Sequence, residues 1–88
     1  MRSIPDAFAE ILIAARKKSG LTQEELAYLS GLDRTTISAL ERAVASPKLD
    51  SVIRLAGALR LDPNALVPSV RWRPPVDTPM PRGEFVDE

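Results

Sequence analysis

Two short helix-forming segments, each with its own start signal, sit on either side of a three-residue turn. No other feature constrains the fold of this chain so closely. The first reads Gln23-Glu24-Glu25-Leu26-Ala27-Tyr28-Leu29-Ser30, and Thr22 precedes it as N-cap with Glu25 three residues on, a capping box. Gly31-Leu32-Asp33 follows, then Arg34-Thr35-Thr36-Ile37-Ser38-Ala39-Leu40-Glu41-Arg42. Gly31 can adopt the positive φ that a sharp interhelical turn needs, and Ala27 is small enough to let the second helix approach closely. Asp33 is a strong N-cap residue for the second segment. Leu26, Leu32, Ile37 and Leu40 are placed to hold the pair against a larger body.

That body is expected to be helical. A first helix opens at Ile4 or Pro5, with Asp6 at the positive end of its dipole, and ends at Gly20. Its apolar face is Phe8, Ile11, Leu12 and Ala15. Arg16-Lys17-Lys18 suits the negative end of the same dipole. The third helix carries Ile37, Leu40 and Val44, and Pro47 forbids its continuation. A fourth runs from about Leu49 to Arg60, with Val52, Ile53, Ala56 and Leu59 facing inward, Leu55 at the flank, and no good N-cap, since Lys48 is a poor one. A fifth helix of one or two turns is capped by Asp62, started by Pro63 and terminated by Pro68.

Composition then divides the chain near Val67. Five of the eight prolines lie beyond it, at Pro68, Pro74, Pro75, Pro79 and Pro81, so the last quarter cannot be a long helix. The expected organisation is a helical domain over residues 1–67 and a Pro-rich arm over 68–88. Ser69 to Arg73 alternates like a strand, and Gly83 to Val86 is a candidate partner for it. A disordered tail is the alternative. The arm holds Trp72, the single tryptophan, and Phe85, one of two phenylalanines, which favours a β-hairpin or extended arm whose aromatics pack together or across a dimer.

The residue inventory excludes several classes of function. With no cysteine there is neither a disulfide framework nor a thiolate zinc site. With no histidine, the commonest general base and metal ligand is missing, and nothing converges on another catalytic site, so neither an enzyme, a cofactor nor a metal is expected. The longest apolar run, Ile11 to Ala15, is too short for a membrane span, and Pro5, Asp6 and Glu10 interrupt any leader-like stretch; a cytoplasmic protein is the expectation. Twelve basic and twelve acidic residues give a formal charge of zero, which argues against a basic coat for nucleic acid but carries no information about geometry.

From about Leu12 to Val67 the chain resembles the lambda-repressor-like, Xre-type family of bacterial and phage DNA-binding domains. Three ordered blocks carry the resemblance: Arg16 to Leu29 (RKKSGLTQEELAYL), Gly31 to Arg42 (GLDRTTISALER) and Pro47 to Leu66 (PKLDSVIRLAGALRLDPNAL). The GLDRTTIS turn also resembles the small controller proteins of restriction–modification systems. The family implies an all-α, five-helix bundle that binds double-stranded DNA as a homodimer on a palindromic operator, with the third helix in the major groove, as a repressor or autoregulator.

Transferred by motif, Arg34, Thr35, Ser38 and Ala39 match base-reading positions, and their spacing puts them on one helix face. Arg34 is the candidate for a bidentate bond to guanine. Gln23, Thr36, Arg42 and Lys48 are candidate phosphate contacts, and Arg16 and Glu41 match a family salt bridge between the first and third helices. Leu61, Val67, Trp72 and Phe85 are candidates for dimer or arm packing. The chain departs from the family after the third helix, where Ala43-Val44-Ala45 replaces glycine and basic residues, so a modest affinity and a shallow salt dependence are expected. The alternative is an antitoxin-like interaction module whose C-terminal arm docks a protein partner.

Overall fold

The computed structural model describes residues 3–75 and 83–87. Four α-helices come first: α1 (Ile4–Lys18), α2 (Gln23–Ser30), α3 (Arg34–Glu41) and α4 (Leu49–Leu59). A single 3₁₀ turn, Pro63–Leu66, and a two-stranded antiparallel hairpin, β1 (Val70–Arg73) with β2 (Glu84–Asp87), complete the order.

Local chemistry explains most boundaries. Ser3 caps α1, accepting from the Asp6 N–H, and Pro5 sits in the first turn, where its missing N–H costs nothing. At α2 the capping box is complete: the Thr22 hydroxyl accepts from the Glu25 N–H at 3.1 Å, and the Glu25 carboxylate accepts from the Thr22 N–H at 2.9 Å. Gly31 ends α2 in the left-handed region with φ 73°, which directs the chain into α3.

Several expectations need correction. The bundle has four α-helices where five were expected, because the fifth element is a 3₁₀ turn. Asp62 caps it through the Asn64 N–H, but Pro68 disfavours helical dihedrals at Val67, which is extended at φ −87° and ψ 124°. Helix α3 ends at Glu41, before Pro47 can act, because Ala43 turns left-handed at φ 60°; Val44 is therefore outside the helix and exposed. Asp33 occupies the N-cap position of α3 without a side-chain capping bond. On α4 the buried stripe is Ser51, Leu55, Ala56 and Leu59, in steps of about four, so Leu55 is central and Ile53 faces outward. Tyr28 and Leu29 also lie on the outer side of α2.

The core collects two or three residues from every helix: Phe8 and Leu12 from α1, Leu26 and Ala27 from α2, Ile37 and Leu40 from α3, and Leu55, Ala56 and Leu59 from α4. Leu66, fully buried, adds the 3₁₀ turn to this core beside α1 and α4. Thus a turn of four residues does the core-closing work of a longer helix. In the hairpin, Val70 faces Asp87, Arg71 faces Val86, Trp72 faces Phe85 and Arg73 faces Glu84. The Trp72 and Phe85 rings meet edge to face at 5.1 Å. Pro74 and Pro75 leave β1, whereas Pro79 and Pro81 of the expected connection lie outside the described residues.

Truncating a side chain at the centre of so small a core leaves a cavity that few neighbours can fill. Leu55→Ala is expected to cost about 2–5 kcal/mol in urea denaturation, and Thr22→Ala about 1 kcal/mol through the lost cap.

Candidate nucleic-acid interface

Helix α3 is held by its apolar side, Ile37 and Leu40, and its first turn faces outward. Arg34 and Thr35, in its first turn, are exposed; Ser38 and Ala39, one turn on, are half-buried. Steps of one, four and five along a helix bring these four to a common side. A groove runs between α3 and the segment leading into α4. Thr35, Thr36 and Ala39 line one wall, and Ala45, Ser46, Pro47, Lys48 and the acidic Asp50 line the other. Lys48 stands at the N-cap position of α4, where an ammonium has no lone pair with which to cap the helix, and it is exposed.

The remaining candidates are placed more unevenly. Arg34 lies 3.9 Å from Glu24 of α2, both well exposed, a loose pair that solvent screens. Arg42 lies just past α3, and its Nε donates to the Ser38 hydroxyl at 3.3 Å. Gln23 is turned inward: its Nε2 donates to Glu41 Oε1 at 3.0 Å. Its backbone stands at the start of α2, where first-turn N–H groups have no intrahelical acceptor. Leu61 and Val67 are exposed on either side of the 3₁₀ turn, and Trp72 and Phe85 are on the hairpin, so these four are not one contiguous site of the helical body.

Behind α3 lies an ionic clamp. Arg16 of α1 grips Glu41 with two bonds, Nε to Oε2 at 2.6 Å and a second terminal nitrogen to Oε1 at 2.9 Å. Its third donor reaches the Leu21 carbonyl at 2.9 Å. Both side chains are largely buried, 14% and 6% exposed, so the pair is shielded from solvent and its bidentate geometry satisfies the donors. Burial alone pushes the Glu41 carboxyl up, but hydrogen bonds from Arg16 and Gln23, with the nearby positive charge, outweigh it and hold the group below the ordinary carboxylate range. The hydrogen bond to Glu41 chiefly holds the Arg16 guanidinium above its ordinary value. Sequence reasoning missed that Gln23 and the Leu21 carbonyl belong to this clamp. No local signal reveals a bond between residues 18 apart.

Among the described residues no cluster of acidic side chains is placed to hold a metal ion, and no helix is long and apolar enough to cross a membrane.

Two short helices, a left-handed glycine turn between them and an outward second helix define a helix-turn-helix domain. A family model described as "Helix-turn-helix" (HTH_3) matches residues 12–66, and the chain belongs to that family. Among curated relatives, control protein C.SmaI of Serratia marcescens is 39% identical over 70 residues, which cover 80% of this chain and 79% of that one. An uncharacterized HTH-type transcriptional regulator, y4dL, of Sinorhizobium fredii is 39% identical over 64 residues, 68% of this chain but 33% of its own length. A third relative, from Methanothermobacter thermautotrophicus, is matched over 64% of its length, so the chain spans only part of these two regulators. Among solved structures, the restriction–modification controller protein C.AhdI of Aeromonas hydrophila superposes with a TM-score of 0.69 at 39% identity, covering 70% of this chain and 94% of that one. The hypothetical transcription factor NHTF from Neisseria gives 0.70 at 34%, covering 74% and 75%.

The clamp has a pH signature. The folded Glu41 carboxyl binds its proton less readily than the unfolded one, so its contribution to stability is complete above the unfolded value of about 4.3 and is lost as pH falls through the lower folded value. Glu41→Gln lacks this contribution. The difference in urea midpoint between wild type and Glu41→Gln is therefore expected to be large at neutral pH and to shrink as the medium is acidified.

Proposed function

We propose that this protein is a sequence-specific, DNA-binding transcriptional regulator that acts as a homodimer on a palindromic operator, as a repressor or autoregulator. The observation that carries the reading is the single groove shared by Thr35, Thr36, Ala39 and Lys48 beside the exposed Arg34. Base-edge readers on one helix and a cation on the facing segment are the two ingredients of a major-groove contact: one positions, the other specifies. Membership of the helix-turn-helix family and the likeness to proteins named as transcriptional regulators and restriction–modification controllers support it.

In this reading α3 enters the major groove, and Arg34 leaves Glu24 to make a bidentate bond to guanine, an exchange that costs little because the ion pair is exposed. Thr35 reads a base edge or a thymine methyl, with Ser38 and Ala39 one turn further along. Lys48, Thr36, Arg42 and the α2 start at Gln23 contact phosphates. The operator is two half-sites about one helical turn apart. Exposed Leu61 and Val67, at the edge of the 3₁₀ turn, and the hairpin aromatics supply apolar surface for the second copy.

Selection of bound sequences from random DNA, with salt varied, tests the reading, and a palindrome is expected. On that site Arg34→Ala should cost about 1–3 kcal/mol and relax preference at one base position, whereas Lys48→Ala should weaken all sequences alike and lower the salt slope by about 1. No enriched site, or an Arg34→Ala variant binding as tightly as wild type, overturns it.

A further inference from the structure

The hairpin lies beyond the residues matched by the helix-turn-helix family, and the groove of α3 makes no use of it. Its geometry is nonetheless specific. Trp72 and Phe85 face each other across the strands and share one face of the ribbon, both still partly exposed at 56% and 40%. The indole lies over Gly83 so closely that a Cβ there would fall 1.9 Å from Cζ2, so this position accepts only glycine without displacing the ring. On the other face Arg73 pairs with Glu84 at 2.8 Å. A two-stranded ribbon of four-residue strands is marginal in water, and each strand offers an outer edge of N–H and C=O groups. Such a ribbon gains stability from a further strand or from packing against a helix.

We infer that β2 pairs, edge to edge, with β2 of a second copy about a twofold axis through Phe85, so that the two hairpins form one four-stranded antiparallel sheet across the dimer. This rests on the homodimer reading above and specifies which surface the arm contributes. The choice of edge follows from charge. A twofold axis normal to the sheet places each side chain opposite one from the same face, so the register must be centred on a residue. Centring β1 on Trp72 opposes Arg71 with Arg73 of the second copy, twice; centring it on Arg71 opposes Arg71 with itself. Like charges directly opposite destabilise a sheet. Centring β2 on Val86 opposes Phe85 with Asp87 and so parts the rings. Centring it on Phe85 opposes Phe85 with Phe85 and Glu84 with Val86, with no like charges. Only that register also aligns the rings in the order Trp72, Phe85, Phe85, Trp72 along one face.

The test uses the full chain. Phe85→Lys and Phe85→Glu each place like charges against each other at the axis, so each variant alone should dimerise about tenfold or more weakly in sedimentation equilibrium. An equimolar mixture brings opposite charges together and should recover a heterodimer. The single tryptophan, Trp72, reports the same change in its emission. A second measurement needs no variant. By hydrogen exchange, the outward amides of wild-type β2 should gain protection as concentration rises through the dimerisation range, while those of β1 should not. Wild-type association with no gain in β2 protection, or Phe85 variants that dimerise as wild type does, overturns the hairpin pairing and leaves the homodimer reading standing. A wild-type chain that stays monomeric at every concentration overturns both.

Discussion

The disposition of α3 depends on one buried ion pair. Each of the three nitrogens of Arg16 donates one bond, two to Glu41 and one to the Leu21 carbonyl, and Gln23 adds a further bond to the same carboxylate. Four elements thereby meet at one point: α1, the loop after it, the start of α2 and the end of α3. Two charges taken out of water rarely add much net stability against an apolar substitute. What they add is direction, because a bidentate fork is satisfied in one geometry while leucines slide. The apolar residues Ile37 and Leu40 bury α3; the clamp sets its axial position. For α3 to read base edges as proposed it needs both, since displacement by part of a turn would send Arg34 and Thr35 elsewhere.

What could be read from the sequence was what is local. The Thr22–Glu25 box spans three residues and the Gly31 turn only one, so both are written in adjacent letters and appear as expected. The hairpin partners Trp72 and Phe85 were legible as well, because alternation and a pair of aromatics in a Pro-rich stretch leave few uses for them. The failures have a common cause: they were decided by tertiary context. Ser51 looked polar and Ile53 apolar, yet steps of four through Leu55 and Leu59 bury the serine and expose the isoleucine. Val44 fitted the apolar spacing of α3, but a left-handed Ala43 ended the helix first. The bond from the Gln23 side chain to Glu41 was missed for the same reason, since only packing brings the two together.

The zero net charge has a different meaning once the residues are placed. Arg16, the most deeply embedded cation among the described residues, is turned to Glu41 and the Leu21 carbonyl rather than to the surface. Arg73 is taken by Glu84, and Arg54 lies 3.8 Å from Asp50 on the same helix. Cations along the α3 groove are thus few, Lys48 chief among them. Glu24 beside Arg34 reduces the local positive potential further. A domain of this kind has little sequence-independent affinity to draw on, because that term grows with the number of phosphates neutralised. In the proposed reading, affinity comes instead from a small number of well-oriented contacts, duplicated by the symmetry of a homodimer.

That requirement connects the two parts of the chain. On a two-half-site operator, as proposed, each half-site contact would be weak alone, and two held rigidly at the right spacing would act as one, because the second binds at the effective concentration set by the first. The gain depends on how firmly the two copies are joined. The core of four short helices and one 3₁₀ turn is small, with exposed Ile53, Leu61 and Val67 at its margin. Backbone hydrogen bonds between the two hairpins would fix register in a way that apolar side chains at this margin do not, since a one-residue slip in a sheet turns every side chain to the wrong face. A sheet across the twofold axis would therefore contribute to DNA recognition without touching DNA, by fixing the distance between the two α3 helices.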